Sequence, residues 1–171
     1  MFEKGGYMVY GTTGVCVIED ITSLDMKGAA DERLYYVLSP CFQKGSRIFT
    51  PVDNAKVPTR AVMSKEEASM LVDEIPRIEE LGEKNDKQRE QRYKEAIRSC
   101  DPREWIRIMK TSYLRQEERR AQGKKATMVD ERYLHSAEDH LCSELAIALD
   151  MTREEVRPYI RERMKVIAEQ V

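Results

Sequence analysis

At Ser64 the chain changes period, and that change limits what it can fold into. Before it, apolar residues come in runs of four or five, broken by glycine and proline. After it, they recur every three or four residues between helix-capping signals.

In the first part, Tyr7-Met8-Val9-Tyr10, then Val15-Cys16-Val17-Ile18 leading on to Ile21, read as two strands joined by a Gly11-Thr12-Thr13-Gly14 hairpin turn. Leu34-Tyr35-Tyr36-Val37-Leu38 and Arg47-Ile48-Phe49-Thr50 read as two more. Asp25 to Asp31 and Gln43 to Ser46 read as loops, and Pro51 and Pro58 punctuate the end. Four or five short strands in roughly 60 residues cannot build a large sandwich. A small, strongly bent sheet or barrel of SH3 or Tudor type is the size match. The glycine turn does not read as a phosphate loop, because a strand follows it and no helix N-terminus faces it.

From Ser64 onward the sequence predicts helices over 65–74, 86–99, 102–121, 128–150 and 153–169. Ser64-Lys65-Glu66-Glu67 and Thr152-Arg153-Glu154-Glu155 are capping boxes. Asp101-Pro102-Arg103-Glu104 combines an N-cap aspartate with proline at the first helical position, and Thr127 can cap the fourth helix. Ile106, Met109 and Tyr113 form one apolar stripe, and Leu134, Ala137, Leu141, Leu145 and Ala148 another, so the fourth helix is expected at the centre. The expected class is α+β: a Tudor-like domain over 1–63, then an all-α bundle of about five helices over 64–171.

The net charge of −2 hides a pattern. Residues 84–125 hold fourteen Lys/Arg against seven Asp/Glu, a net of +7. They lie between acidic stretches, 64–83 at −5 and 126–171 at −4. A basic block with too few local carboxylates marks a phosphate partner through electrostatics and counterion release. The candidate DNA contacts are Arg89, Arg92, Tyr93, Lys94, Arg98, Lys124, Lys125 and Arg132. Tyr93 is set among basic residues and can sit beside a nucleic acid. Trp105 reads first as core beside Ile108 and Met109, with a wedge against DNA as the sharper alternative.

Catalytic and metal signals are weak. His135 and His140 are five apart, which separates them by about 140° on a helix and misses paired-ligand geometry. The four cysteines, Cys16, Cys41, Cys100 and Cys142, show no CxxC pair and read as buried, reduced thiols. Residues 1–10 show no basic segment followed by an apolar run, so a cytoplasmic location is expected. No metal, cofactor or membrane is expected, and a monomer is.

KGGYMVYGTTGVCVIEDI, with Tyr35-Tyr36-Val37-Leu38 and Thr50-Pro51-Val52-Asp53-Asn54, resembles the CarD/CdnL family of bacterial transcription regulators. Their RNA polymerase-interacting domain also occurs in the transcription-repair coupling factor. Gln91-Arg92-Tyr93-Lys94 is similar to the family's basic-Tyr-Lys helix, and ERYLHSAEDHLCSELAIAL, residues 131–149, to its penultimate helix. The resemblance implies that the N-terminal domain binds the polymerase β subunit by edge-strand pairing, with Leu24, Arg47, Ile48, Phe49 and Thr50 as contacts. It implies that the helical domain touches promoter DNA upstream of the melted −10 region, favouring the open complex. No helicase motor follows, so a coupling factor is not implied. Actinobacterial members carry a tryptophan three residues before the Arg-Tyr-Lys, where this chain has Arg89. Leu24 and Phe49 stand where the family's polymerase-contacting arginines align. The alternative is an adaptor whose helices do not touch DNA.

Overall fold

The computed structural model describes residues 1–24, 33–83 and 85–169. The loop expected from Asp25 to Asp31 lies outside the described residues. The chain divides into two compact units, Met1–Val62 and Met63–Val171.

The first unit is a curled antiparallel sheet of five strands: β1 (Tyr7–Tyr10), β2 (Gly14–Ser23), β3 (Leu34–Pro40), β4 (Ile48–Pro51) and β5 (Thr59–Arg60). They lie in the order β4-β3-β2-β1-β5. β1 and β2 pair as a hairpin with Met8 opposite Cys16 and Tyr10 opposite Gly14. Its turn, Gly11–Thr13, is one 3-10 turn. Gly11 sits at φ 46°, and a Cβ there would meet Val57 Cγ1 at 2.6 Å. This close approach lets the 54–58 loop fold over the hairpin, where Gly11 N–H donates to Pro58 O at 2.8 Å. The Asn54 side chain ties that loop internally, donating to Val57 O at 2.9 Å and accepting from Lys56 N at 3.0 Å.

A bulge between Ile18 and Asp20 bends β2, as a strongly curved small sheet requires. Met8, Cys16, Ile18, Tyr36 and Leu38 form the buried centre, with Phe2, Tyr10, Ile21, Ile48 and Val52 around it. Phe2 meets Tyr36 edge to face, 6.1 Å between ring centroids, and its N–H donates to the Tyr36 hydroxyl at 3.1 Å. All four cysteines are free thiols. Burial pushes the Cys16 thiol up to about 12, so at neutral pH it is a packing group and not a nucleophile.

The second unit holds α1 (Lys65–Glu74), α2 (Asp86–Arg98), α3 (Pro102–Ala121), α4 (Met128–Ala148) and α5 (Arg153–Glu169). The caps act as the sequence implies. Ser64 Oγ accepts from Glu67 N at 3.1 Å while Glu67 Oε2 accepts from Ser64 N at 3.2 Å. Asn85, Asp101 and Thr127 cap α2, α3 and α4. Val156 anchors α5, and Arg163 ties it to Asp73 of α1 at 2.9 Å.

α4 carries the longest buried face, with Ala137, Leu141 and Leu145 at its middle. Glu144 on the same face is fully buried, and its Oε2 accepts from Met63 N at 3.0 Å, fixing the chain where α1 begins. The α3 stripe differs from expectation. Trp105, Ile108 and Ser112 are buried with Ile106, whereas Tyr113 is exposed and donates to Glu138 at 2.7 Å. Tyr113 lies one residue, and so about 100°, from Ser112 on the wheel. A tyrosine tolerates that flank because its hydroxyl can reach a carboxylate. Trp105 packs in the core, 5.3 Å from the His140 ring, so the core reading holds and the wedge reading does not.

Replacing Ser64 with alanine removes the hydroxyl half of the capping box and leaves the Ser64 N–H bond to Glu67, which is a backbone contact. It should cost about 1 kcal/mol, read as a lower urea midpoint with an unchanged denaturant slope.

Candidate docking edge and nucleic-acid interface

Two surfaces carry the residues singled out by the sequence. The first is strand β4, which among the described residues pairs only with β3 and leaves its other side open. Its pleat sends Ile48 and Thr50 inward and Phe49 outward. Ile48 packs on the core, Thr50 is buried and Phe49 is half exposed. Just before the strand, exposed Arg47 pairs with Glu19 at 3.1 Å. Leu24, half-buried just past the end of β2, belongs to no strand. The structure thus gathers four of the five expected contacts along one open edge.

The second surface belongs to the helical unit, and its charges fall into two groups. One group holds the fold. Arg103 pairs with Glu74 at 2.7 Å. Arg107 pairs with Glu104 at 3.0 Å and donates to Glu79 O at 3.2 Å. Lys110 donates to the carbonyls of Ile75 and Ile78. Three cations of α3 therefore pin α1 and the segment after it. The other group faces outward. Lys87, Lys94 and Arg98 are seven and four residues apart on α2, opposite its buried face of Arg89, Tyr93 and Ala96. Lys124 and Lys125 are exposed on the loop after α3, which is folded back by Lys124 N–H on Arg119 O at 2.8 Å. Among the described residues, Arg98, Lys124 and Lys125 have no ion pair. Arg92 pairs with Glu95 at 3.3 Å on the flank of α2.

What joins these pieces is Asp130, a buried carboxylate in the first turn of α4. Tyr93 Oη of α2 donates to it at 2.8 Å, Arg115 Nε of α3 at 3.0 Å and Thr127 Oγ1 at 2.8 Å. Arg89 Nε lies 3.9 Å away, and Ser112 Oγ donates to the Asp130 backbone carbonyl at 2.9 Å. Burial pushes the Asp130 carboxyl up, but the hydrogen bonds from Thr127, Tyr93 and Arg115 outweigh it and leave the pKa below the usual carboxylate value. Burial and the same carboxylate raise the Tyr93 phenol, which therefore stays protonated and keeps donating. The Tyr93 ring stacks on Tyr133 at 5.1 Å, and the Arg132 guanidinium lies 5.0 Å over the Tyr133 ring. A cleft of about 250 Å³ opens beside this cluster, lined by Lys87, Arg115, Arg119 and Thr127 along with Asp86 and Glu90.

The model of the CarD-like/TRCF RID domain matches residues 2–64, and that of the CarD C-terminal domain matches residues 71–161. The chain belongs to the CarD family. A search of curated proteins finds no match. The N-terminal unit is thus an RNA polymerase-interacting domain, and the family's domains are interaction and regulatory modules rather than enzymes. Among the described residues no cluster of three or more His, Cys, Asp or Glu side chains could hold a metal ion, and no helix is long and apolar enough to cross a membrane.

Two expected DNA contacts are corrected by burial. Arg89 is 4% exposed and Tyr93 fully buried, so neither side chain faces an incoming duplex in this arrangement. The residue standing where actinobacterial members have a tryptophan is here part of the Asp130 cluster, paired with Asp86. The missed signal was the spacing of Arg89, Tyr93 and Ala96, an inward stripe disguised by an arginine. Arg92, Lys94, Arg98, Lys124, Lys125 and Arg132 retain accessible charge.

Replacing Asp130 with asparagine should destabilise the helical unit by about 3 kcal/mol at neutral pH, since a buried charge cluster loses its centre. The folded pKa is depressed, so the stabilisation is complete above the unfolded value and is lost as pH falls through the folded value. The stability gap between wild type and D130N, measured by denaturant titration, should close below about pH 4.

Proposed function

We propose that the chain is a non-enzymatic regulator that holds the polymerase β subunit through the β4 edge and promoter DNA through the helical unit. It acts near the upstream edge of the −10 region and modulates open-complex lifetime. The observation that carries the DNA half is the set of cations that keep their charge on the surface of the helical unit. Lys87, Lys94 and Arg98 share one stripe of α2 with Arg132 beside it, and Lys124 and Lys125 add an exposed loop. Such a set grips phosphates without reading sequence, which suffices where polymerase and sigma factor select the promoter. A regulator that binds melted DNA better than closed DNA shifts opening by that difference, tenfold for each ~1.4 kcal/mol.

The docking half is supported by β4. A four-residue edge strand with an outward phenylalanine can accept a partner strand and seat a side chain on it. A second reading, an adaptor with no DNA contact, is favoured by one fact: Arg103, Arg107, Lys110 and Arg115 are all engaged within the unit.

The deciding measurement is open-complex lifetime on a ribosomal RNA promoter with and without the protein. Reversing Lys124 and Lys125 to glutamate should remove the effect and flatten the salt dependence of DNA binding by about two in log–log slope. An unchanged lifetime would favour the adaptor. Phe49→Glu should weaken binding to a β-subunit fragment by about 2 kcal/mol, with the fold intact because Phe49 faces solvent.

A further inference from the structure

Glu90 stands between two of the cations that the DNA reading uses. Its Oε1 lies 3.4 Å from Arg132 Nη2 on α4 and 3.8 Å from Lys94 Nζ one turn further along α2. One carboxylate oxygen therefore bridges cations from two different helices. An anionic oxygen shared by an arginine and a lysine is also how a backbone phosphate would sit there. The arginine of this site is braced. Arg132 lies over Tyr133, Tyr133 stacks on Tyr93, and the Tyr93 hydroxyl is fixed by Asp130. Glu90 is not braced in that way. It is a partly exposed side chain on the flank of α2, free to leave by rotating its own bonds.

We propose that Lys94 and Arg132 form a phosphate subsite, and that Glu90 fills it in the free protein as an intramolecular competitor of the DNA backbone. This rests on the DNA reading above. Displacing Glu90 forfeits its two ion pairs, so each engagement with bare DNA is weakened. Docking on polymerase supplies a high local concentration of promoter DNA, and the same displacement is then readily driven. Glu90 thereby biases the protein toward polymerase-bound promoters over the excess of non-specific sites, discrimination obtained by penalising the wrong partner.

The test is anisotropy titration of a short labelled duplex with the full-length protein, from about 50 to 200 mM salt. Glu90→Gln should tighten binding about three- to tenfold at low salt, as expected for removing two exposed ion pairs, and steepen the log–log salt slope by about one. Glu154→Gln, an exposed change of equal charge on α5, should shift affinity less than about twofold. Lys94→Ala and Arg132→Ala should weaken binding, and each should cost more in the Glu90→Gln background than in wild type. Thermal melts of every variant confirm the fold. If Lys94→Ala and Arg132→Ala weaken binding but Glu90→Gln matches Glu154→Gln, the competitor role is wrong while the DNA reading stands. If all of these variants bind like wild type, the subsite is wrong while a DNA contact through Lys124 and Lys125 stands; if the wild type itself does not bind the duplex in a salt-dependent way, the DNA reading fails and takes the subsite with it.

Discussion

The helical unit depends on one buried charge. Asp130 sits where α2, α3 and α4 meet and takes hydrogen bonds from all three, if its own cap Thr127 is counted with α4. A carboxylate in that position would be costly without partners, and with them it fixes which way each helix faces. Tyr93 must turn its hydroxyl inward to reach it, and α2 then has only one way to present Lys87, Lys94 and Arg98. The Tyr93–Tyr133 stack carries the same constraint outward to Arg132. Surface charge and buried charge are thus parts of one arrangement.

The division of labour among the cations follows from their reach and neighbours. Arginine and lysine stems on α3 lie beside the carbonyls and carboxylates of the 74–80 segment and donate to them. Arg98 of α2 and Lys124 and Lys125 of the loop have no ion pair among the described residues and stay available. A block with a formal net of +7 therefore offers less charge to a partner than its count suggests. The acids within it, Asp86 and Glu90 above all, decide where the remainder is felt.

The first unit solves a different problem. A sheet this small has a modest core, and it obtains curvature from the bulge in β2 and closeness from a glycine pressed against Val57. Its two edges are treated unequally: β5 is only two residues long, while β4 runs for four with Phe49 turned outward. An open edge is a hazard for a protein that works alone and an asset for one that docks.

Much of the architecture was legible in the chain. Caps and proline positions marked the starts of four of the five helices, because those residues satisfy local backbone groups and need no distant partner; the Asn85 cap of α2 was not read from the chain. Four strands were visible as apolar runs between turn residues, and Met-Val-Tyr and Tyr-Tyr-Val-Leu could only be half-buried sheet. β5 was not visible, since two residues carry no alternation and Thr59–Arg60 is a strand only because β1 lies beside it. Nor could the chain reveal which basic residues face solvent. Arg89 and Lys94 look alike in sequence, yet one is buried against Asp86 and the Asp130 cluster and the other lies on the surface. The sequence by itself determined periods, caps and total charge, all of which depend on near neighbours. Only the tertiary structure decided the pairing of charges, because Asp130 meets Tyr93 from 37 residues away and Arg132 meets Glu90 from 42.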